Sequence, residues 1–530
     1  MTKTKCLACR AALFAAAVAL VPAAARPAQA SPLFELVGGQ GGTSGFNARV
    51  TGAGAASTYF NPALLADAEK GLELGIFVLS DGIDIQVDAR DSSPECAGGK
   101  CDVPEVFGTG PESFRHGDGS NLKDPTVPTG WLENGRPASD TSDALAARPR
   151  QSAGKEEVRA YQVLGLVSPV FGKRLVLGFY AMVPLAEFTT AHAFYNDERE
   201  QFFSNSLHPE LYDDRLTATS LAFGVGSRVT DKLALGVTLT LSLTNSAAAP
   251  VYVSNLSNLD TVLLDSNIGV QAAVAPHFGA AWDVARRLRL TGTLHTRQAF
   301  EIVTGFQYFL ATGSEQSAEV HFTHDYMPLT AGAGAEWQVG SFGDTKLGLV
   351  GTLEWAQWSD YKDRHSEAPH PDYAWADTLS GSLGARVSHG ALVAFADTTY
   401  QPSPVPDQTG RSNYVDNDRL GFGAGFEYRF ALWGGKFKLG AQLQAHDLLH
   451  RHVTKFVPPR NPQPNENLPG FGDNYYPQLV VDEVPDDATD GQLHEPVPNR
   501  EGLQTNNPGF PGFSSGGWLM GGSVNLTILY

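Results

Sequence analysis

The sequence predicts an all-β fold: a transmembrane antiparallel β-barrel of about fourteen strands, with an N-terminal plug, or hatch, inside its lumen. Many segments alternate apolar and polar residues with a period of two, as strands with one lipid-facing side do. The connections between these segments are very short and long in turn, which is the asymmetry of membrane barrels. Residues 41–65, which precede the strands, are small and nearly uncharged, and they resemble neither a strand nor a surface helix.

The composition agrees with this fold class and argues against others. Apolar residues make up 42% of the 530 residues and the mean hydropathy is −0.17, which is too polar for a bundle of transmembrane helices. A barrel crosses the same membrane with fewer apolar residues, because only alternate residues face the lipid. The net charge is −19, so nucleic acid is not an expected partner.

Residues 1–30 have the pattern of a secretory signal peptide. Lys3, Lys5 and Arg10 supply a basic start, residues 11–25 are apolar, and residues 28–30 (Ala-Gln-Ala) supply a cleavage pattern. A retained membrane anchor is the alternative, and the short apolar core disfavours it because a spanning helix needs about 20 apolar residues. We therefore expect an exported chain.

Residues 31–71 are expected to form the plug and residues 72–530 the barrel. Glycine permits unusual turns and close packing, and Pro62 fixes its own φ and biases Asn61 away from the helical region. We expect the motif Asn61, Pro62 and Ala63 to be buried in the lumen.

The alternation predicts the strands, with boundaries uncertain by about 2–4 residues. They lie at residues 72–87, 157–169, 174–187, 216–229, 232–245, 267–282, 288–303, 319–339, 345–358, 374–387, 391–401, 418–430, 436–446 and 516–530. The even count, which bacterial barrels share, places both ends of the barrel on one side of the membrane. In residues 233–244 the odd-numbered side chains are aliphatic and are expected to face lipid. In residues 175–185 the outward row is similar, but Pro184 marks a bulge, a kink, a gap in the ladder or simply the end of the strand.

Two long polar inserts, residues 91–155 and 447–514, are predicted to be extracellular loops. The first contains Cys96 and Cys101, two closely spaced cysteines in an exported chain, which predicts a disulfide. A metal site would need further ligands nearby. No catalytic set is recognisable, since His295, His324 and His446 are scattered, and we expect neither an enzyme nor a cofactor or metal.

Two stretches, and a third more weakly, resemble a known family. The plug sequence GAGAASTYFNPALL resembles the hatch of the FadL/TodX-type outer-membrane transporters of long-chain fatty acids and hydrocarbons. Residues 400–419, YQPSPVPDQTGRSNYVDNDR, resemble the Ser-Pro-x-Pro loop of that family, and residues 354–359, EWAQWS, are a weaker match. The resemblance implies a fourteen-strand barrel in the outer membrane of a Gram-negative bacterium. It also implies passive uptake of hydrophobic small molecules, with exit through a lateral gap into the membrane lipids.

A fatty acid needs an apolar slot and a cation for its carboxylate, whereas a neutral hydrocarbon needs no cation. Arg297, with His295 on the same row, is the first choice among the inward cations for a substrate carboxylate. For each single cation, a structural ion pair across the lumen is the favoured alternative. The other inward cations are Arg386, Arg419, Arg429 and Lys438. An aqueous porin and a barrel-anchored adhesin or enzyme are the alternative functions. We expect a monomer.

Overall fold

The computed structural model describes residues 32–87, 157–170, 175–186, 219–248, 251–253, 262–264, 267–310, 315–362, 368–369, 374–407, 414–454 and 512–530. In these residues fourteen strands form one closed antiparallel barrel, which confirms the predicted fold class and strand count. Most barrel strands pair with their neighbours along the chain, β9 pairs with β12, and β18 closes the barrel on β1.

A helix at Pro32–Val37, a one-turn helix at Ser57–Phe60 and a 3₁₀ helix at Pro62–Asp67 precede the strands, and a further 3₁₀ turn lies at Trp358–Asp360. The barrel strands are β1 (Gly71–Val87), β2 (Glu157–Val170), β3 (Leu175–Pro184), β4 (Thr219–Arg228), β5 (Leu233–Ala248), β8 (Asn267–Ala285), β9 (Leu288–His295), β12 (Thr330–Phe342), β13 (Thr345–Ala356), β14 (Thr378–His389), β15 (Leu392–Gln401), β16 (Arg419–Leu432), β17 (Gly435–Thr454) and β18 (Gly512–Leu529). A separate four-stranded sheet contains β6 (Val251–Val253), β7 (Val262–Leu264), β10 (Gln298–Leu310) and β11 (Glu315–Met327).

The two faces of the barrel wall differ as the alternation predicts. On β5 the side chain of Leu239 is exposed, while Thr238 and Thr240 are fully buried. On β16, Phe422 and Phe426 are likewise exposed. The outward row is therefore apolar and matches lipid, whereas the inward row is small or polar.

Two predicted strands were wrong in their extent. Residues 288–303 and 319–339 were each expected to be one strand, but each is divided between the barrel and the four-stranded sheet. Pro328 lies at the second division, between β11 and β12, where its missing N–H interrupts a ladder. β17 also continues to Thr454, past the predicted end at residue 446, after a register shift between Leu448 and Arg451.

The two ends of the barrel are unlike. At one end, called the short-turn end, tight turns join β4 to β5, β12 to β13 and β16 to β17, and β1 begins there. The opposite end, called the long-loop end, carries the long connections. Among the described residues, no helix is both long enough and apolar enough to cross a membrane. Residues 1–30, Cys96 and Cys101 lie outside the described residues.

Candidate functional site

The segment of residues 32–67, called the plug below, contacts inward-facing residues on opposite sides of the barrel. Gly178 on β3 lies against Thr58, Gly334 on β12 lies against Val50, and Gly423 on β16 lies against the ring of Phe46. These three strands are spaced around the ring. Because the barrel is closed, the contacts place the plug in its lumen.

Glycines on the wall let the 3₁₀ helix of the plug approach the strands closely. A Cβ atom at Gly236 on β5 would lie 2.3 Å from the Pro62 carbonyl carbon, and one at Gly226 on β4 would lie 2.3 Å from the Pro62 oxygen. These neighbours are backbone atoms, which cannot swing away as the end of a side chain could. The wall and the plug are therefore fitted to each other at this point.

The Asn-Pro-Ala motif organises the start of this 3₁₀ helix. Asn61 has an extended backbone, as the residue before a proline prefers, and its Oδ1 accepts a hydrogen bond from the Ala63 N–H at 3.2 Å. Its Nδ2 donates to the carbonyl of Arg49 at 2.8 Å and to that of Ala280 on β8 at 3.4 Å. Asn61 thus caps the helix, links two parts of the plug and attaches them to the wall.

A buried ionic group joins the plug to β13 and β9. The Arg49 guanidinium lies between two carboxylates, 2.9 Å from Glu35 of the plug and 2.7 Å from Glu354 of β13. The Tyr59 hydroxyl donates to Glu35 at 2.7 Å, and His295 Nδ1 lies 3.3 Å from the same oxygen. Arg49 therefore has a carboxylate on each of two sides, which compensates its charge away from water.

The environment shifts the pKa values of the plug members of this group. Burial alone raises the pKa of Glu35, but the Arg49 charge and the hydrogen bonds from His295 and Tyr59 outweigh burial and hold the pKa below its usual value. Burial, reinforced by the Glu35 charge, raises the pKa of the Tyr59 hydroxyl, so this group remains a proton donor.

A second polar contact holds the turn around residue 45. Arg386 on β14 and Asp397 on β15 form a buried ion pair, with 2.9 Å between Arg386 Nη2 and Asp397 Oδ2. The same Arg386 nitrogen donates to the Ser44 carbonyl at 2.8 Å, and Asp397 accepts from the Phe46 N–H at 3.0 Å. Gly45 has φ +52 and faces Asp397, so only glycine fits the turn without strain.

Ion pairs also fix the end of the plug nearest the barrel strands. Asp67 binds Arg228 of β4 and Arg289 of β9, at 2.7 and 2.8 Å. On another part of the wall, Glu69 lies 2.7 Å from Lys438 and 3.0 Å from Arg429. The chain that leaves the plug is therefore held on two sides before β1 begins.

A pocket of about 110 Å³ lies at the long-loop end of the plug. Its floor includes Glu35 and Leu36 of the plug together with Glu354. Its walls come from residues 354–359 and 400–419, two of the stretches that carry the sequence resemblance. The lining residues there are Ala356, Trp358, Gln401, Pro402, Pro404, Asp416, Asn417 and Arg419. Met327, Pro328, Thr330, Thr378 and Ser380 complete the described lining. Three segments that are distant in sequence thus meet around one opening.

Aromatic side chains form a rigid wall beside this pocket. Trp358, which lines the pocket, packs 5.5 Å from Trp375, and Trp375 stacks on Tyr361 at 3.5 Å with nearly parallel rings. Tyr414 meets Trp375 edge-on at 5.6 Å. All of these rings are buried or half-buried, so the wall is preorganised rather than assembled by a ligand.

A different cavity, of about 250 Å³, lies at the short-turn side of the plug. Its described lining carries Asp67, Glu69, Glu73, Glu427, Arg429 and Lys438, together with glycine and alanine residues of the plug. Charged groups dominate its chemistry, which suits water and ions rather than an apolar molecule.

The predicted substrate residues do not come together. His295 is buried beneath the pocket, against Glu35, with its ring 4.0 Å from that of His277. Arg297 is half exposed, forms an ion pair with Asp360 at 3.1 Å and is not among the described residues that line the pocket. Pro184 is the last residue of β3 and is buried on the inward side, opposite Tyr161 of β2.

The residues that sequence reasoning missed are Glu35, Arg49 and Glu354. One signal was available, because Arg49 is the only charged residue in residues 41–65. A single charge in a segment that is expected to be buried requires an opposite charge nearby, so partners should have been sought.

The closed fourteen-strand barrel with an exposed apolar outer row is the fold of a membrane β-barrel, and residues 32–67 lie in its lumen. No family model matches the sequence, and no curated protein does. Among solved structures, a Pseudomonas aeruginosa FadL homologue is similar over 96% of this chain and 99% of its own, with 14% identity and a TM-score of 0.49. The P. putida toluene transporter TodX is similar over 95% and 99%, with 10% identity and a TM-score of 0.43. The CymD monoaromatic hydrocarbon channel is similar over 94% and 97%, with 12% identity and a TM-score of 0.42.

Proposed function

We propose that this protein is an outer-membrane channel for the passive uptake of hydrophobic molecules. Long-chain fatty acids and uncharged hydrocarbons are the two substrate classes that the sequence resemblance implies. The observation that carries the proposal is the filled lumen: the plug contacts the wall on opposite sides, and a partly apolar pocket opens above it at the long-loop end. A ligand that enters from this end therefore meets the pocket before it meets the plug.

A straight path to the short-turn end is unfavourable for such a ligand. The cavity on that side is lined by Glu73, Glu427 and Lys438 among other charged groups. An apolar molecule would have to displace water from these groups, which leaves them without their hydration. A sideways exit avoids this cost.

The wall near β3 offers a sideways exit. Pro184 is the last residue of β3 and the end of the described β2–β3 ladder, and a proline has no N–H to donate to a neighbouring strand. In lipid an unpaired backbone group costs several kcal/mol, so this place favours protein or a passing ligand over lipid alone.

The helix at Pro32–Val37 lies between the pocket and this place. Leu36 lines the pocket, while Phe34 packs 5.0 Å from the ring of Tyr180 on β3. Both belong to one apolar cluster that also contains Met182. We infer that a shift of this helix opens the route, which makes the plug a hatch that controls lateral exit.

Uptake into cells tests the proposal, because lipopolysaccharide slows the entry of hydrophobic molecules through the outer membrane. A Gram-negative host that produces the full chain is expected to take up labelled toluene faster than the same host with an empty vector. Liposomes that contain the purified protein should not swell in sugars. Sugar-driven swelling without faster toluene uptake would identify an aqueous porin instead.

A further inference from the structure

We propose that the pocket at the long-loop end selects small, uncharged ring compounds that carry a hydrogen-bond donor, such as an alcohol or a phenol, and discriminates against carboxylates. This inference rests on the proposed function and names its substrate class. It differs from the sequence-based expectation, which placed a substrate carboxylate on Arg297.

The charges around the pocket are unfavourable for a second carboxylate. The described lining contains three acidic side chains, Glu35, Glu354 and Asp416, and one basic side chain, Arg419. A ligand carboxylate at the floor would face the two glutamates, and like charges in a partly desolvated site disfavour binding.

Arg49, the cation nearest the pocket floor, is already paired with two carboxylates. Arg49 is buried, is not part of the described lining, and lies within 3 Å of oxygens of both Glu35 and Glu354. A ligand carboxylate could reach it only by displacing one of these partners, which would leave that partner's charge buried without its cation. Such an exchange is costly in a protein interior.

Glu354 instead offers an acceptor to the pocket. Its Oε2 contacts Arg49, and among the described residues no hydrogen-bond partner is found for its Oε1. A ligand hydroxyl or N–H at the floor could donate to this oxygen. A donor therefore gains an interaction at the point where a carboxylate meets repulsion.

The size and walls of the pocket favour a ring. Its volume, about 110 Å³, is of the same order as the cavity of roughly 150 Å³ that encloses benzene in an engineered protein. Trp358 supplies an aromatic surface, and the Tyr361–Trp375 stack holds that surface in place. A flat ring can pack on this aromatic surface.

Benzyl alcohol and benzoate form a matched test pair, because they share a ring and differ in the polar group. Binding of each to the full chain in lipid nanodiscs at pH 8.5, where the carboxylates of the pocket are compared in their charged form, is measured by saturation-transfer NMR. We expect benzyl alcohol to bind at least about tenfold more tightly than benzoate, the scale of a like-charge penalty in a partly buried site. Glu354→Gln should reduce this ratio to below about threefold, because it removes the charge and keeps the shape.

Three further variants separate charge selection from loss of structure. Glu427→Gln changes a wall glutamate of the other cavity and should leave the ratio unchanged. Trp358→Leu should weaken both ligands together and preserve their ratio. Arg419→Gln should not weaken benzoate selectively, and a selective loss in that variant would assign a carboxylate site to Arg419.

Benzoate binding within about twofold of benzyl alcohol, which is the ratio expected without the like-charge penalty, would overturn the inference. Failure of both ligands to bind would also overturn it. Neither result affects the uptake of toluene by cells, so the failure of this inference and the failure of the proposed function are distinguishable.

Discussion

Replacement of Gly236 by alanine is a sharp test of how the plug fits the barrel. The added Cβ would lie 2.3 Å from the Pro62 carbonyl carbon and 2.5 Å from the Ala63 nitrogen. Real Cβ atoms do not approach other atoms so closely, so either the plug or the strand must move. β5 is hydrogen-bonded along both of its edges, to β4 and β8, whereas the 3₁₀ helix is held to the wall by side-chain hydrogen bonds, ion pairs and packing. We therefore expect the plug to move.

The size of the expected increase in plug displacement follows from the free-energy cost of overpacking. Inserting a methyl group into a well-packed interior costs about 1–3 kcal/mol. If this cost falls on the closed arrangement alone, the population with a displaced plug rises about 5- to 150-fold, since about 1.4 kcal/mol corresponds to a factor of ten. Even a small initial leak would then become measurable.

Swelling of liposomes in sugar solutions measures this leak. Gly292→Ala is the matched control, because a Cβ on that barrel glycine would meet nothing closer than 4.0 Å. The Gly236 variant should swell faster than the parent, and the Gly292 variant should match the parent. Equal swelling of all three proteins, with folded barrels, would refute the account of the fit between the wall and the plug.

The remaining predictions concern pH, the cysteines and the exit. Arg49 helps to hold the pKa of Glu35 below its usual value of about 4.3, so the ionised Glu35 stabilises the closed plug above that pH. This stabilisation is lost as the pH falls below that value, and sugar leakage should therefore begin only below about pH 4. Leakage that begins above pH 5 would contradict this prediction. Thiol-reactive labels should not modify Cys96 and Cys101 in unreduced, exported protein, and modification of both would exclude the disulfide. Pro184→Val should extend the pairing of β3 and slow toluene uptake by cells without changing barrel folding, whereas uptake at the parental rate would place the exit elsewhere.

The barrel itself could be predicted from local patterns. The two-residue alternation in β5 and β16 reports which face meets lipid, and it is independent of what lies inside. The Asn61-Pro62 pair likewise fixes a local backbone that needs no distant partner, and the structure shows the cap that it forms. Features that are set by neighbouring residues are therefore readable from the sequence.

Features that depend on distant pairing were not readable in this way. β10 and β11 have the same alternating character as barrel strands, and only their partners place them in a separate sheet. The pocket floor joins Glu35 to Glu354, which are far apart in the sequence, and no local pattern encodes that contact. Arg297 was expected on the inward row of one strand at residues 288–303, but β9 ends at His295, and Arg297 meets Asp360.

We propose that residues 41–65 close the barrel lumen to water and ions. The most direct test compares the full chain with a variant that lacks these residues, in planar lipid bilayers at equal protein incorporation. We expect little steady conductance for the full chain and large, lasting conductance steps for the deletion variant. Equal conductance of the two proteins, with both barrels folded, would contradict the claim.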